Sequence, residues 1–143
     1  SSPTTHEVHG LTGEDEFFVG VLSTGPNLIV YGRSLYDRPD SGAMVNYPNT
    51  PLITIDISAA PFSSDRRWSV SPICMAMTKH IGYHEPNGNG FIADQVIVRS
   101  YVTEVVNQVT FYCGVVLELA FSGNANAATD QPIEWMLIGP EAA

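Results

Sequence analysis

His6 and His9 stand three residues apart, and His80 and His84 four apart with Glu85 beside the second. Two imidazoles at i and i+4 grip a divalent ion when their segment is helical and further ligands converge. Gly82 and Pro86 limit residues 78–85 to a turn of helix. No third ligand is apparent, so the pair reads as part of a loop or strand end. His6 and His9 belong to a polar amino-terminal stretch, 1–15, that reads as a loose segment. No metal ligand is assigned.

The acidic groupings suggest hard-cation chemistry at first sight. Glu14-Asp15-Glu16 precedes a hydrophobic run, and Asp37 and Asp40 flank Arg38-Pro39. Calcium takes six to eight oxygen ligands, and no EF-hand spacing supplies them, so these groups read as solvated loops. A glycosidase needs two carboxyls about 5 to 10 Å apart. Glu104 and Glu118 are the strand-borne pair to consider, and each reads as an outward residue of an alternating strand. No Gly-x-Ser-x-Gly elbow, phosphate-binding glycine loop or dinucleotide fingerprint occurs. We therefore assign no catalytic residue and no cofactor.

Cys74 and Cys113 lie in apolar stretches and read as buried free thiols, with a disulfide between adjacent strands as the alternative. Among the aromatics, Tyr36, Tyr47 and Tyr83 fall in loop-like surroundings, where they could contact a sugar or a protein. Trp68, Trp135, Tyr31, Tyr101 and Tyr112 read as core or rim.

The elements that would position these groups are strands. Residues 108–121 place Val109, Phe111, Cys113, Val115, Leu117, Leu119 and Phe121 on every second position. That period of two marks a long strand with one face in a core. Residues 52–58 repeat it with Ile53, Ile55 and Ile57 inward. Further strands are expected at 17–22, 28–35, 68–77, 91–106 and 133–138. Pro72 should put the 68–77 strand at an edge, at a bulge or in two pieces. The 91–106 run should be one bent strand or two. Turn formers fill 23–27, 37–42, 47–51, 85–90 and 122–132. The pattern predicts one all-β domain over residues 1–143, an antiparallel β-sandwich of jelly-roll kind.

Composition narrows the function. The 143 residues are 44% hydrophobic and only 15% charged, against about 25% charged in an average soluble domain. Such an exterior is expected to be covered in part by a partner. Fifteen acids against six bases give a net charge of −9, and Arg66-Arg67 is the one basic doublet. Binding to nucleic acid needs clustered Lys and Arg, so neither nucleic acid nor an anionic membrane is an expected partner. No apolar run approaches the ~20 residues of a membrane span, and no signal peptide is read. The start at Ser1 is read as processing, excision from a longer chain, or trimming.

Short strands separated by Pro/Gly/Asn/Ser loops, then the long 108–121 strand, the small-residue loop 123–129 and a final 133–138 strand, form a recognisable arrangement. It resembles a coat-protein domain of a small RNA virus. The resemblance covers most of the chain as a pattern, without a diagnostic motif. It implies a jelly-roll shell domain or a protruding sandwich, a place in the virion, and self-association into a symmetric homo-oligomer. The alternative is a carbohydrate- or receptor-binding β-sandwich module, and a host receptor or glycan is the further partner to expect. Many such proteins carry an Arg/Lys-rich amino-terminal arm that neutralises RNA, and this sequence lacks one. An outward position fits its charge.

Overall fold

The structure is a computed structural model that describes residues 5–9, 17–36, 52–60, 62–78, 93–121 and 131–143. The expected turns at 37–42, 47–51 and 85–90, most of the helical turn at 78–85, and the small-residue loop 123–129 lie outside them. The described residues form eight strands and no helix. They are β1 (Thr5–His9), β2 (Phe18–Thr24), β3 (Asn27–Tyr36), β4 (Leu52–Asp56), β5 (Ile73–Thr78), β6 (Ala93–Val106), β7 (Val109–Phe121) and β8 (Gln131–Pro140). One sheet has the order β1-β2-β3-β8-β5 and the other β4-β7-β6, every pairing antiparallel. The two sheets pack face to face as a β-sandwich.

Alternation explains which residues meet between the layers. In β3, Leu28 and Val30 are buried; in β8, Ile133, Trp135 and Leu137 are; in β7, Cys113, Val115, Leu117 and Leu119 are. Val21, Ile55 and Ile57 complete the same core. The inward positions expected at Ile55 and Ile57 are therefore occupied as the pattern requires. Burying each such aliphatic side chain contributes about 1.5–3 kcal/mol. Val109, also expected inward, is half exposed because it sits at the tip of the β6–β7 hairpin.

Three local features differ from the sequence reading. Residues 5–9, read as part of a loose segment, pair with β2 from Thr5↔Ser23 to His9↔Val19. Their polarity hid the strand, because backbone pairing at a sheet edge needs no apolar face. Pro72 does stop a strand: β5 starts at Ile73 at the edge of its sheet, while Trp68 makes only isolated bridges. The expected 91–106 run is, over its described residues, the single strand β6 (Ala93–Val106), whose register on β7 shifts at three places, the bends expected of β-bulges.

The β2–β3 turn carries Gly25 at φ 76°, and the β6–β7 turn carries Asn107 and Gln108 at φ 50° and 66°. A tight hairpin between right-twisted strands takes positive φ at the first central residue, as at Gly25, or at both, as at Asn107 and Gln108. Between β4 and β5 the chain folds back across the core. Asp56 accepts hydrogen bonds from the Ser58 amide and hydroxyl, which turns the chain out of β4. Ile57 then bonds the Cys113 carbonyl, and Trp68 exchanges backbone bonds with Tyr112 at 2.8 and 3.0 Å. Trp68 has no solvent exposure, and its indole N–H donates to the Leu28 carbonyl at 2.9 Å.

β4 lies so close on β7 that a Cβ at Gly114 would sit 1.9 Å from the Ile55 carbonyl oxygen. Gly114→Ala is expected to separate the two strands and lower the urea midpoint. Trp68→Ala should cost about 3–5 kcal/mol by the same measurement. Trp68→Phe, which leaves the Leu28 carbonyl without its donor, should cost about 1–3 kcal/mol.

Candidate functional site

Two surfaces are candidates, and the first is polar. After β4 the chain presents Arg66-Arg67, the doublet that in sequence looked like the only basic patch. Both side chains turn to carboxylates brought from distant positions. Arg66 Nη1 lies 2.8 Å from Glu141 Oε1, and Arg67 Nε lies 2.6 Å from Glu104 Oε2. The Ser23 hydroxyl, buried in β2, also donates to Glu141, at 2.8 Å to Oε2. Arg67 further donates from Nη1 to the carbonyls of Ser64 and Arg66. An open groove of about 560 Å³ runs along this network and is floored in part by Phe111 and Val106.

Each arginine in the groove already faces a carboxylate of its own chain. The arrangement ties the 62–68 segment to β6 and to the chain after β8. Chemically it is a clasp. The Arg66–Glu141 pair is the better shielded, with side chains 29% and 15% exposed. The Glu104 side of the second pair is open to water, where such pairs stabilise little.

Glu104 and Glu118, each read as an outward strand residue, do not come together. Glu104 lies opposite Phe111 on β7, whereas Glu118 is on β7 itself. Seven residues of strand separate those positions, about 23 Å at 3.3 Å per residue. Glu118 instead bonds Arg99 at 3.1 Å. Among the described residues no group of three or more His, Cys, Asp or Glu could hold a metal ion. His6 accompanies the Tyr31 hydroxyl at 2.6 Å on an exposed strand, and His9 ends the same strand. His80, His84, Glu85, Glu14, Asp15, Glu16, Asp37 and Asp40 lie outside the described residues. So do Tyr47 and Tyr83, while Tyr36 is the last residue of β3.

The second surface is apolar and was not singled out in the sequence. With Leu28, Val30, Trp135 and Leu137 pointing in, the outer face of the five-stranded sheet carries their alternates. The register sets these in rows across the strands. One row is His6, Leu22, Ile29, Ile138 and Ile73; the next is Val8, Gly20, Tyr31, Met136 and Met75. A third runs Phe18, Arg33, Glu134 and Met77. Tyr31 lies over Gly20, where a Cβ would meet its ring at 2.3 Å, and packs edge-on to Phe18. Arg33 stacks 5.8 Å over Phe18 and pairs with Glu134 at 3.2 Å. Toward β5 the cover ends: Ile73, Met75 and Met77 are 67%, 52% and 63% exposed.

The thiols are free, as the apolar settings implied. Cys74 and Cys113 sit on strands of different sheets, so the adjacent-strand disulfide does not arise. Burial pushes the Cys74 thiol above the ordinary cysteine range. Burial is also the main reason Cys113 is raised; the Ser58 hydroxyl and Arg67 oppose it, and the charge of Asp56 adds to it. The Cys113 thiol is 3.6 Å from the Val102 carbonyl it faces.

Comparison with known protein families, curated proteins and solved structures finds no match to this chain.

Glu141→Ala removes the acceptor shared by Ser23 and Arg66, and is expected to lower unfolding stability by about 1–3 kcal/mol. A stability loss within ~0.3 kcal/mol of zero would show that the clasp does not hold the fold. Both thiols should alkylate with iodoacetamide at pH 8 far more slowly in the native chain than in urea. Because their folded pKa values are raised, their contribution to stability is whole below the free-thiol pKa. It should fall as pH rises past that point toward the folded values, and urea titrations between pH 7 and 10 would register the decline.

Proposed function

We propose that the chain is a structural domain of a virus particle, working by self-association into a symmetric homo-oligomer rather than by catalysis. The observation that carries this reading is the exterior of the five-stranded sheet, where large apolar side chains stand in register and half or more exposed on β5. Contiguous apolar patches beyond a few hundred Å² mark interaction sites on soluble proteins. A chain with only 15% charged residues fits an exterior that is largely occupied by neighbours.

The path of the chain adds support for the jelly-roll reading and, with it, for a coat-protein domain. From β3 to β4, β4 to β5 and β5 to β6 the chain changes sheet each time, and it changes again from β7 to β8. Wrapping two layers in this way is how a jelly roll is wound. Here the β6–β7 hairpin stays within one sheet, and β1 and β2 widen the other. Shell contact and outward protrusion both follow from such a domain, and the net charge of −9 favours the outward position.

Sedimentation velocity over roughly 1–100 μM, the range in which standard interfaces form, is the direct test. A discrete symmetric oligomer is expected. A strict monomer across that range would remove the structural reading.

A further inference from the structure

We infer that the occupant of the outer face of the five-stranded sheet is a second copy of this chain, docked face to face. The inference rests on the self-association proposed above and says which surface performs it.

The distribution of side chains within β5 is the first argument. Its inward residues are the small Cys74 and Ala76, while its outward residues are the larger Ile73, Met75 and Met77. A lone domain in water would place them the other way round, because each large aliphatic side chain gains about 1.5–3 kcal/mol from burial. The strand is built to bury its outer side. On β8, Ile138 and Met136 extend the same surface inward from the edge.

Area is the second. Five strands spaced about 4.8 Å and three side-chain rows along them give a face on the order of 500 Å² in plan, more once side-chain relief is added. Stable pairs bury about 800 Å² on each partner. The plan area supplies more than half of that, the relief of the side chains adds to it, and one sheet of a second copy would cover the face with the layers about 10 Å apart as in any stacked pair of sheets.

Charge is the third and points to a like partner. A chain of net charge −9 repels its own copies. The face holds one arginine and one glutamate, bonded to each other at 3.2 Å, and a histidine engaged with Tyr31. It is neutral as a whole, so a second copy meets no net charge there. A strongly basic or acidic partner would find nothing to recognise. A largely apolar face whose one ion pair is satisfied within the chain can meet its own copy, as a twofold contact requires.

The test uses the whole chain with three substitutions: Met75→Glu, Met77→Glu and, as a control on the far hairpin, Val105→Glu, whose side chain is 66% exposed. All three side chains are exposed in the single chain, so native circular dichroism and urea midpoints should be kept. Met75→Glu and Met77→Glu should each weaken the dimer by at least about 30-fold in sedimentation equilibrium, and Val105→Glu should leave it unchanged. Peroxide oxidation of the wild-type chain, read by mass spectrometry, should slow at Met75 and Met77 as concentration rises through the dimer range.

Assembly that persists in both methionine variants, with oxidation independent of concentration, overturns the face while the structural function stands. Equal loss in the Val105 variant does the same. A wild-type chain that stays monomeric overturns both.

Discussion

Trp68 is completely buried, donates its indole N–H to the Leu28 carbonyl in one sheet, and pairs its backbone with Tyr112 in the other. Its bridge to Glu141 brings in the chain beyond β8 as well. A single side chain thus fixes the spacing of the two layers at one end. The residues around it follow from that constraint. Arg67 must lie where its backbone carbonyl accepts from Ala142, and its side chain then reaches Glu104. Arg66, one residue earlier, meets Glu141 and through it the Ser23 hydroxyl. Removing the ring would leave a cavity and also release the segment on which the clasp is mounted.

With that end closed, the sandwich has a direction. The tight turns at Gly25-Pro26 and Asn107-Gln108 lie at the Trp68 end. The register puts the last residues of β3, β5 and β7 at the opposite end, together with the first residues of β4, β6 and β8. The long connections 37–51, 79–92 and 122–130 therefore all start and finish there, as does 10–17 between β1 and β2. Among the described residues, the tight turns and the Trp68 bridges therefore gather at one end of the sandwich.

How much of this was legible depends on how each strand distributes its apolar residues. The 108–121 and 52–58 runs alternate cleanly, and both appear as strands, with Cys113, Val115, Leu117, Leu119 and Ile55 buried as expected and Val109 exposed at the hairpin tip. ICMAMT and IEWMLIG are apolar on both sides, so alternation shows that they are strands but not which side faces water. Their outer residues, Met75 and Met136 among them, became recognisable only when the register set them in one row. The clasp was hidden for another reason. Arg66-Arg67 read as a basic doublet because its partners lie 37 and 75 residues away, and no local pattern announces a contact of that range. The polar strand β1 carried neither signal. Glu104 and Glu118 were correctly read as separate strand residues, but their arginine partners were not foreseen.

Where the charge sits completes the physical case for contact through a face. Arg33, Arg66, Arg67 and Arg99 each meet a glutamate of the same chain, so four of the fifteen acids are locally balanced. The other eleven, with Arg38 and Lys79, account for the net −9. Glu14, Asp15, Glu16, Asp37, Asp40, Glu85 and Asp130 belong to connections that begin and end away from Trp68. The apolar rows, in contrast, carry Arg33 and Glu134 as their charged side chains, and these are paired with each other. Repulsion between copies decays over about 8 Å at physiological ionic strength. Copies of a chain of net charge −9 that meet through surfaces other than this face bring unbalanced charges together. Copies meeting through the neutral face bury apolar area without desolvating an unpaired charge, which is the larger of the two costs.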